Sequence, residues 1–130
     1  MEKKNPIEEA KRYVANAKQI LREKGEFDTA SKSYGDKKYV RMAGNTLWNG
    51  CLIALDAVLK VRDGKGRPSI EKYREAAAKR DKKLLQAINT GYDTMHLAMG
   101  YDGNTYKNVC EAGFDLANAI IDRCASLYQA

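Results

Sequence analysis

The chain has 130 residues, about the amount that one hydrophobic core organises, which excludes a multidomain enzyme and sets the expected organisation as a single helical-bundle domain over 1–130. Apolar residues make up 44% and charged ones 31%, with two prolines and ten glycines, so a linker-rich or disordered chain is excluded. Lys and Arg number 23 against 17 Asp and Glu; a net charge of +6 attracts polyanions but is modest for a dedicated nucleic-acid binder.

No stretch approaches the roughly 18 apolar residues of a membrane helix, and the charged start Met1-Glu-Lys-Lys-Asn leads into no apolar signal core; a cytoplasmic protein is expected. Cys51, Cys110 and Cys124 form no C-x-x-C pair and sit among apolar neighbours at helical spacing, which points to buried thiols rather than a disulfide framework.

Asn5 and Pro6 suit a helix start, as cap and first-turn residue. Ile7, Ala10, Val14, Ala17 and Leu21 then recur at steps of three and four, predicting an amphipathic helix that ends near Gly25. Residues 25–36 show neither period and read as a loop. A second helix is expected from Asp36 to about Arg62, with Val40, Gly44, Leu47, Cys51, Leu55 and Val58 as its seam; at about 40 Å it is the longest and the central element. Gly44 and Gly50 each cost it about 1 kcal/mol relative to alanine, so they are read as points of close backbone approach.

Asp63-Gly-Lys-Gly-Arg-Pro-Ser stops that helix, and Ser69 caps the next. Within it, Gly64-Lys-Gly-Arg-Pro resembles a phosphate loop but lacks the preceding strand, and is read as a hinge. A short helix over about 70–80 places Tyr73, Ala76 and Ala77 inward, and either continues into the next or breaks near Arg80-Asp81. Leu84, Leu85, Ala87, Ile88, Tyr92, Met95 and Met99 predict a further helix over about 81–99, and Asp102-Gly-Asn-Thr a turn. The last helix, about 104–128, carries a wide apolar face from Tyr106 to Leu127. No segment alternates with period two, so no sheet is expected. The fold class is all-α: an antiparallel bundle of four long helices plus a short extra helix.

His96 is the single histidine. Near a helix end it is either structural, favoured by the negative end of the dipole, or a general acid or base with Asp93 or Tyr92 assisting. One histidine with three seam cysteines makes no zinc set, and no metal or cofactor is expected. Asn45, Asn49, Leu52 and Asp56 form a stripe beside Trp48 at the border of the apolar seam, either a buried hydrogen-bond network or the lining of a cleft. Tyr92, Tyr101 and Tyr106 gather around the same turn as His96, as core or as base-stacking surfaces. Lys79, Arg80, Lys82 and Lys83 form the densest basic run, which meets phosphate or is a solvated helix junction.

The order of features, an alanine-rich helix over Tyr39–Leu59 followed by a helix whose end carries His96, resembles the HEPN superfamily of small helical bundles. The His96-Leu-Ala-Met-Gly-Tyr-Asp-Gly turn is also similar to a group of uncharacterised Bacteroidetes proteins. The HEPN resemblance implies RNA cleavage or partnership with nucleotidyltransferases, and dimerisation through the bundle. HEPN ribonucleases place an arginine four to six residues before the histidine; here that window is Thr90, Gly91 and Tyr92. Without the cation such a site loses about 3 to 4 kcal/mol of transition-state stabilisation. The preferred expectation is therefore a non-catalytic interaction module, a homodimer or one bound to a protein partner, motivated by the apolar face of the last helix. The alternative is an RNA- or nucleotide-binding protein, a degenerate ribonuclease using His96.

Overall fold

The computed structural model describes residues 5–129, and the charged start Met1–Lys4 lies outside them. α1 (Pro6–Lys24) opens with the Asn5 side chain accepting from the Ile7 amide at 2.8 Å and closes at Gly25. Its buried residues are the five of the sequence stripe. α2 (Lys37–Leu59) starts at Asp36, whose carboxylate accepts from the Lys38 amide. It stops short of the expected Arg62 because Lys60 turns left-handed, with φ 52°, and returns its amide to the Asp56 carbonyl.

The 25–36 segment is not wholly irregular. β1 (Phe27–Asp28) and β2 (Ser33–Tyr34) pair antiparallel, Phe27 opposite Tyr34 and Asp28 opposite Ser33. This corrects the expectation of no sheet. Two-residue strands are too short to show a period, and the ribbon is set instead by a turn in which Asp28 accepts from the Ser31 amide, and by Tyr34 donating its amide to the Thr105 carbonyl.

α3 (Ile70–Arg80) and α4 (Lys82–Gly91) are separate helices. The break falls at Asp81, whose backbone is extended and whose carboxylate caps α4 through the Leu84 amide at 2.9 Å. α4 then runs without interruption into a π-helical segment, Tyr92–Tyr101, where an α-helix was expected. Gly91, Met95, Met99 and Gly103 are all buried at an unbroken spacing of four, which suits the wider turn of a π-helix but is compatible over short lengths with either period. α5 (Lys107–Leu127) completes the all-α bundle.

α2 is central, packed on α1, α5 and the π-helical segment. Its glycines are where neighbours come closest. A Cβ on Gly44 would lie 2.5 Å from Met99 Cβ and 2.8 Å from the Met95 carbonyl oxygen; one on Gly50 would lie 2.8 Å from Tyr13 Cβ. The core between these elements includes Leu47, Leu55, Leu84, Ile88, Met95 and Ile120, all fully buried, each stabilising the fold by about 1.5 to 3 kcal/mol. Cys51, Cys110 and Cys124 are buried free thiols within it. Among the described residues, no helix is long and apolar enough to cross a membrane.

Candidate functional site

The polar stripe on α2 faces a pocket of about 390 Å³. Asn45, Trp48, Asn49 and Leu52 form one wall, since steps of three and four place them on one helix face. Tyr92 and His96 form the second, four residues apart on the π-helical segment. Arg67 and Pro68 from the α2–α3 connection, with Ile70 and Tyr73 from the start of α3, form the third.

The second wall is aromatic and joins the first. The Trp48 and Tyr92 rings meet edge to face with centroids 5.6 Å apart, and Tyr92 lies 5.1 Å from the His96 ring, tilted by 33°. Trp48 is itself 6.4 Å from His96. Arg74 lies over Tyr92, its guanidinium carbon 5.5 Å from the ring centroid, and is anchored by Nε donating to Asn89 Oδ1. The Asn45 side chain donates to the Gly100 carbonyl at 3.3 Å, tying α2 to the end of the π-helical segment. His96 Nδ1 is buried and has no hydrogen-bond partner among the described residues. Leaving a buried polar atom unpaired costs about 1 to 3 kcal/mol, so this nitrogen is a locally unsatisfied point beside the pocket.

The third wall is held by a charged network. Tyr73 donates its hydroxyl to Asp56 Oδ1 at 2.6 Å, and Arg67 Nη1 donates to Asp56 Oδ2 at 2.8 Å and to the Tyr73 oxygen at 2.9 Å. Arg62 stands 3.8 Å from the same carboxylate. Burial pushes the Tyr73 hydroxyl pKa up, and the adjacent Asp56 carboxylate adds to it. For Arg67 burial works against the cation, but the hydrogen bonds to Tyr73 and Asp56 prevail and its pKa is raised. Asp56 is thus a paired group within a network rather than an isolated buried acid.

Other candidates stand apart from the pocket. Asp93 is exposed: on the wider π turn it is Tyr92, not the residue at i−3, that stacks with His96. Tyr101 is 76% and Tyr106 64% exposed. In the basic run, Lys79, Lys82 and Lys83 are exposed, while Arg80 donates to the Val58 and Leu127 carbonyls, tying the ends of α2 and α5. Asp81 within the run pairs with Arg123. None of the five lines the pocket, so the run is a helix junction. Among the described residues, no group of three His, Cys, Asp or Glu side chains is placed to hold a metal ion.

Sequence reasoning passed over the third wall: Tyr73 was read only as an inward face of the short helix, and Arg67 was not a site candidate. The signal for Arg67 was the glycine-flanked Gly64-Lys-Gly-Arg-Pro segment, read as a hinge because its phosphate-loop likeness lacked a strand.

Residues 5–126 match the family model described as a domain of unknown function, DUF5618. The chain belongs to the DUF5618 family. A solved structure of a protein of unknown function from Dyadobacter fermentans is similar to this DUF5618 chain, with a TM-score of 0.83 and 39% identity over 93% of each chain. Among curated proteins, none matches. The family and this neighbour agree with the expected Bacteroidetes resemblance, and neither description names an activity or a HEPN relation.

Proposed function

We propose that this chain is a non-catalytic helical module that binds a small molecule, one flat ring system, in the pocket between α2, the π-helical segment and the start of α3. The observation that carries this reading is the aromatic wall of Trp48, Tyr92 and His96. Aromatic faces stack flat rings with little sequence or substituent preference, and Asn49 Nδ2 and Oδ1 add a donor and an acceptor at the edge. At about 390 Å³ the pocket lies near the lower end of small-molecule sites, the size for one nucleobase-like ring with a substituent.

Partner binding through α5 draws less support. Cys110, Gly113, Ala117, Ile120, Ile121 and Cys124, the centre of its apolar face, are buried within the bundle and leave little for a second chain. A ribonuclease reading gains one observation, since Arg67 arrives in the same pocket as His96 and supplies a cation that the window before His96 lacks. Against it, Asp93 is exposed and does not line the pocket, and Asp56 is committed to Tyr73 and Arg67.

Trp48 is the single tryptophan and reports directly on the pocket. Titration with adenosine, uridine and indole should give a saturable change in its fluorescence for at least one ring, weakened in Tyr92→Ala. A silent Trp48 with all three overturns the binding reading. Incubation with labelled single-stranded RNA tests the other: cleavage present in the natural protein and absent in His96→Ala would establish a nuclease in its place.

A further inference from the structure

We infer that the ligand of this pocket carries an acidic group, a phosphate or a carboxylate, that is bound by Arg67, with Asp56 and Tyr73 as the residues that position the guanidinium. The inference rests on the ring-binding reading above and names the chemistry at the other end of the ligand. Its first support is the charge of the lining: Arg67 is cationic and no lining residue is an acid. Nearby, the single carboxylate Asp56 faces two arginines, Arg67 at 2.8 Å and Arg62 at 3.8 Å, so the cluster keeps a positive excess.

The second support is how Arg67 uses its donors. Both of its hydrogen bonds, to Asp56 Oδ2 and to the Tyr73 oxygen, leave from Nη1. Among the described residues, Nε and Nη2 have no hydrogen-bond partner, although the side chain lines the pocket. A guanidinium offers five N–H donors in a rigid fork suited to two acceptor oxygens at once. Anchoring the fork through one nitrogen removes the rotamer freedom that a free surface arginine would lose on binding, so the anion meets a preorganised partner. Asp56 does not have to be displaced, because the unused nitrogens are the ones that pair.

The connection carrying Arg67 is built to bring it there. Lys60 leaves α2 in a left-handed turn, and Gly64 and Gly66 take φ of 83° and 103° in open space, so the exposed chain returns to the body of the protein at Arg67 and Pro68. The segment read from sequence as a phosphate-loop look-alike thus delivers its arginine to an acidic group, by a side chain rather than by backbone amides.

The test compares ligand pairs that differ only in the acid: adenosine against adenosine 5′-monophosphate, and indole against indole-3-carboxylate, read by Trp48 fluorescence and calorimetry. In the natural protein the acidic member of at least one pair should bind about tenfold tighter or more, the scale of a charge-assisted hydrogen bond, and the advantage should shrink with added salt. A phosphate advantage identifies the phosphate source, and a carboxylate advantage the carboxylate source. In Arg67→Gln the members of the pair should bind alike, and an acidic advantage that survives there overturns the inference. Tyr73→Phe, which keeps the buried ring, should reduce the advantage of the acidic member. Equal binding of both members in the natural protein overturns this inference and leaves ring binding standing; binding of neither ring overturns both.

Discussion

Replacing Gly44 by alanine sets helix propensity directly against packing. In an isolated helix the change stabilises by about 1 kcal/mol. In this fold the new Cβ would sit 2.5 Å from Met99 Cβ, 2.7 Å from the Gly100 amide nitrogen and 2.8 Å from the Met95 carbonyl oxygen. All three are backbone atoms or the carbon next to the backbone, so no rotamer change relieves them and the π-helical segment itself has to move. Overpacking of a core costs about 1 to 3 kcal/mol, and a backbone-limited site belongs at the top of that range, leaving a net loss of about 2 kcal/mol after the propensity gain. For a chain of this length that is a fall in Tm of about 6 to 10 °C, measured by circular dichroism and checked by the midpoint of urea unfolding. Displacement of the π-helical segment carries Tyr92 and His96 with it, so ring affinity reported by Trp48 should fall as well. Gly50→Ala meets Tyr13 Cβ at 2.8 Å and the Ala10 carbonyl oxygen at 3.1 Å, contacts also fixed by the backbone but fewer and longer than those at Gly44, on the α1 side of the helix. It should cost less and leave ring affinity unchanged. A Tm that rises in Gly44→Ala, as propensity alone requires, would refute the close-approach reasoning.

Two further outcomes follow from the ionisable groups. The Arg123 guanidinium beside Asp81, helped by the Leu84 amide, holds the Asp81 carboxyl down at about 2. A carboxylate whose folded pKa is depressed stabilises fully above its unfolded value of about 3.9, and the contribution is lost as pH falls from there toward the folded value. The Tm should therefore drop more steeply between about pH 4 and pH 2 in the natural protein than in Arg123→Gln, and parallel profiles would remove the pair from the acid response. Burial pushes the Cys110 thiol up to about 11 and the Cys124 thiol to about 12, and Cys51 moves in the same direction. At pH 8 all three remain protonated and enclosed, so Ellman's reagent should react slowly with the native protein and at once with all three after denaturation; fast labelling without denaturant contradicts their placement.

Local chemistry determined most of the helices without help from tertiary structure. The apolar stripes of α1 and α5, the Asn5 and Asp36 caps, and the seam of α2 follow from hydrogen-bond satisfaction at helix ends and from burial at a fixed period, both readable within a few residues. The two interior glycines of α2 were legible for a related reason: a residue that weakens a long helix is retained where a neighbour needs the space, although which neighbour was not readable. On the pocket side, Trp48, Asn45 and Asn49 were placed on one face by spacing alone.

Tertiary packing decided the rest. Whether 92–101 is α or π depends on how Met95 and Met99 fit against Gly44 and Gly113, because a spacing of four satisfies both periods. The break between α3 and α4 is set at Asp81, whose carboxylate is held by Arg123 from α5 as well as by its own helix. The meeting of Arg67 with His96 could not be read locally: one comes from an irregular connection after α2, the other from the π-helical segment, and the Asp56–Tyr73 pair that holds the arginine joins two helices. Periodicity specifies which side of an element is buried. What a polar group meets across a pocket depends on the crossing of elements distant in sequence, which only the assembled bundle supplies.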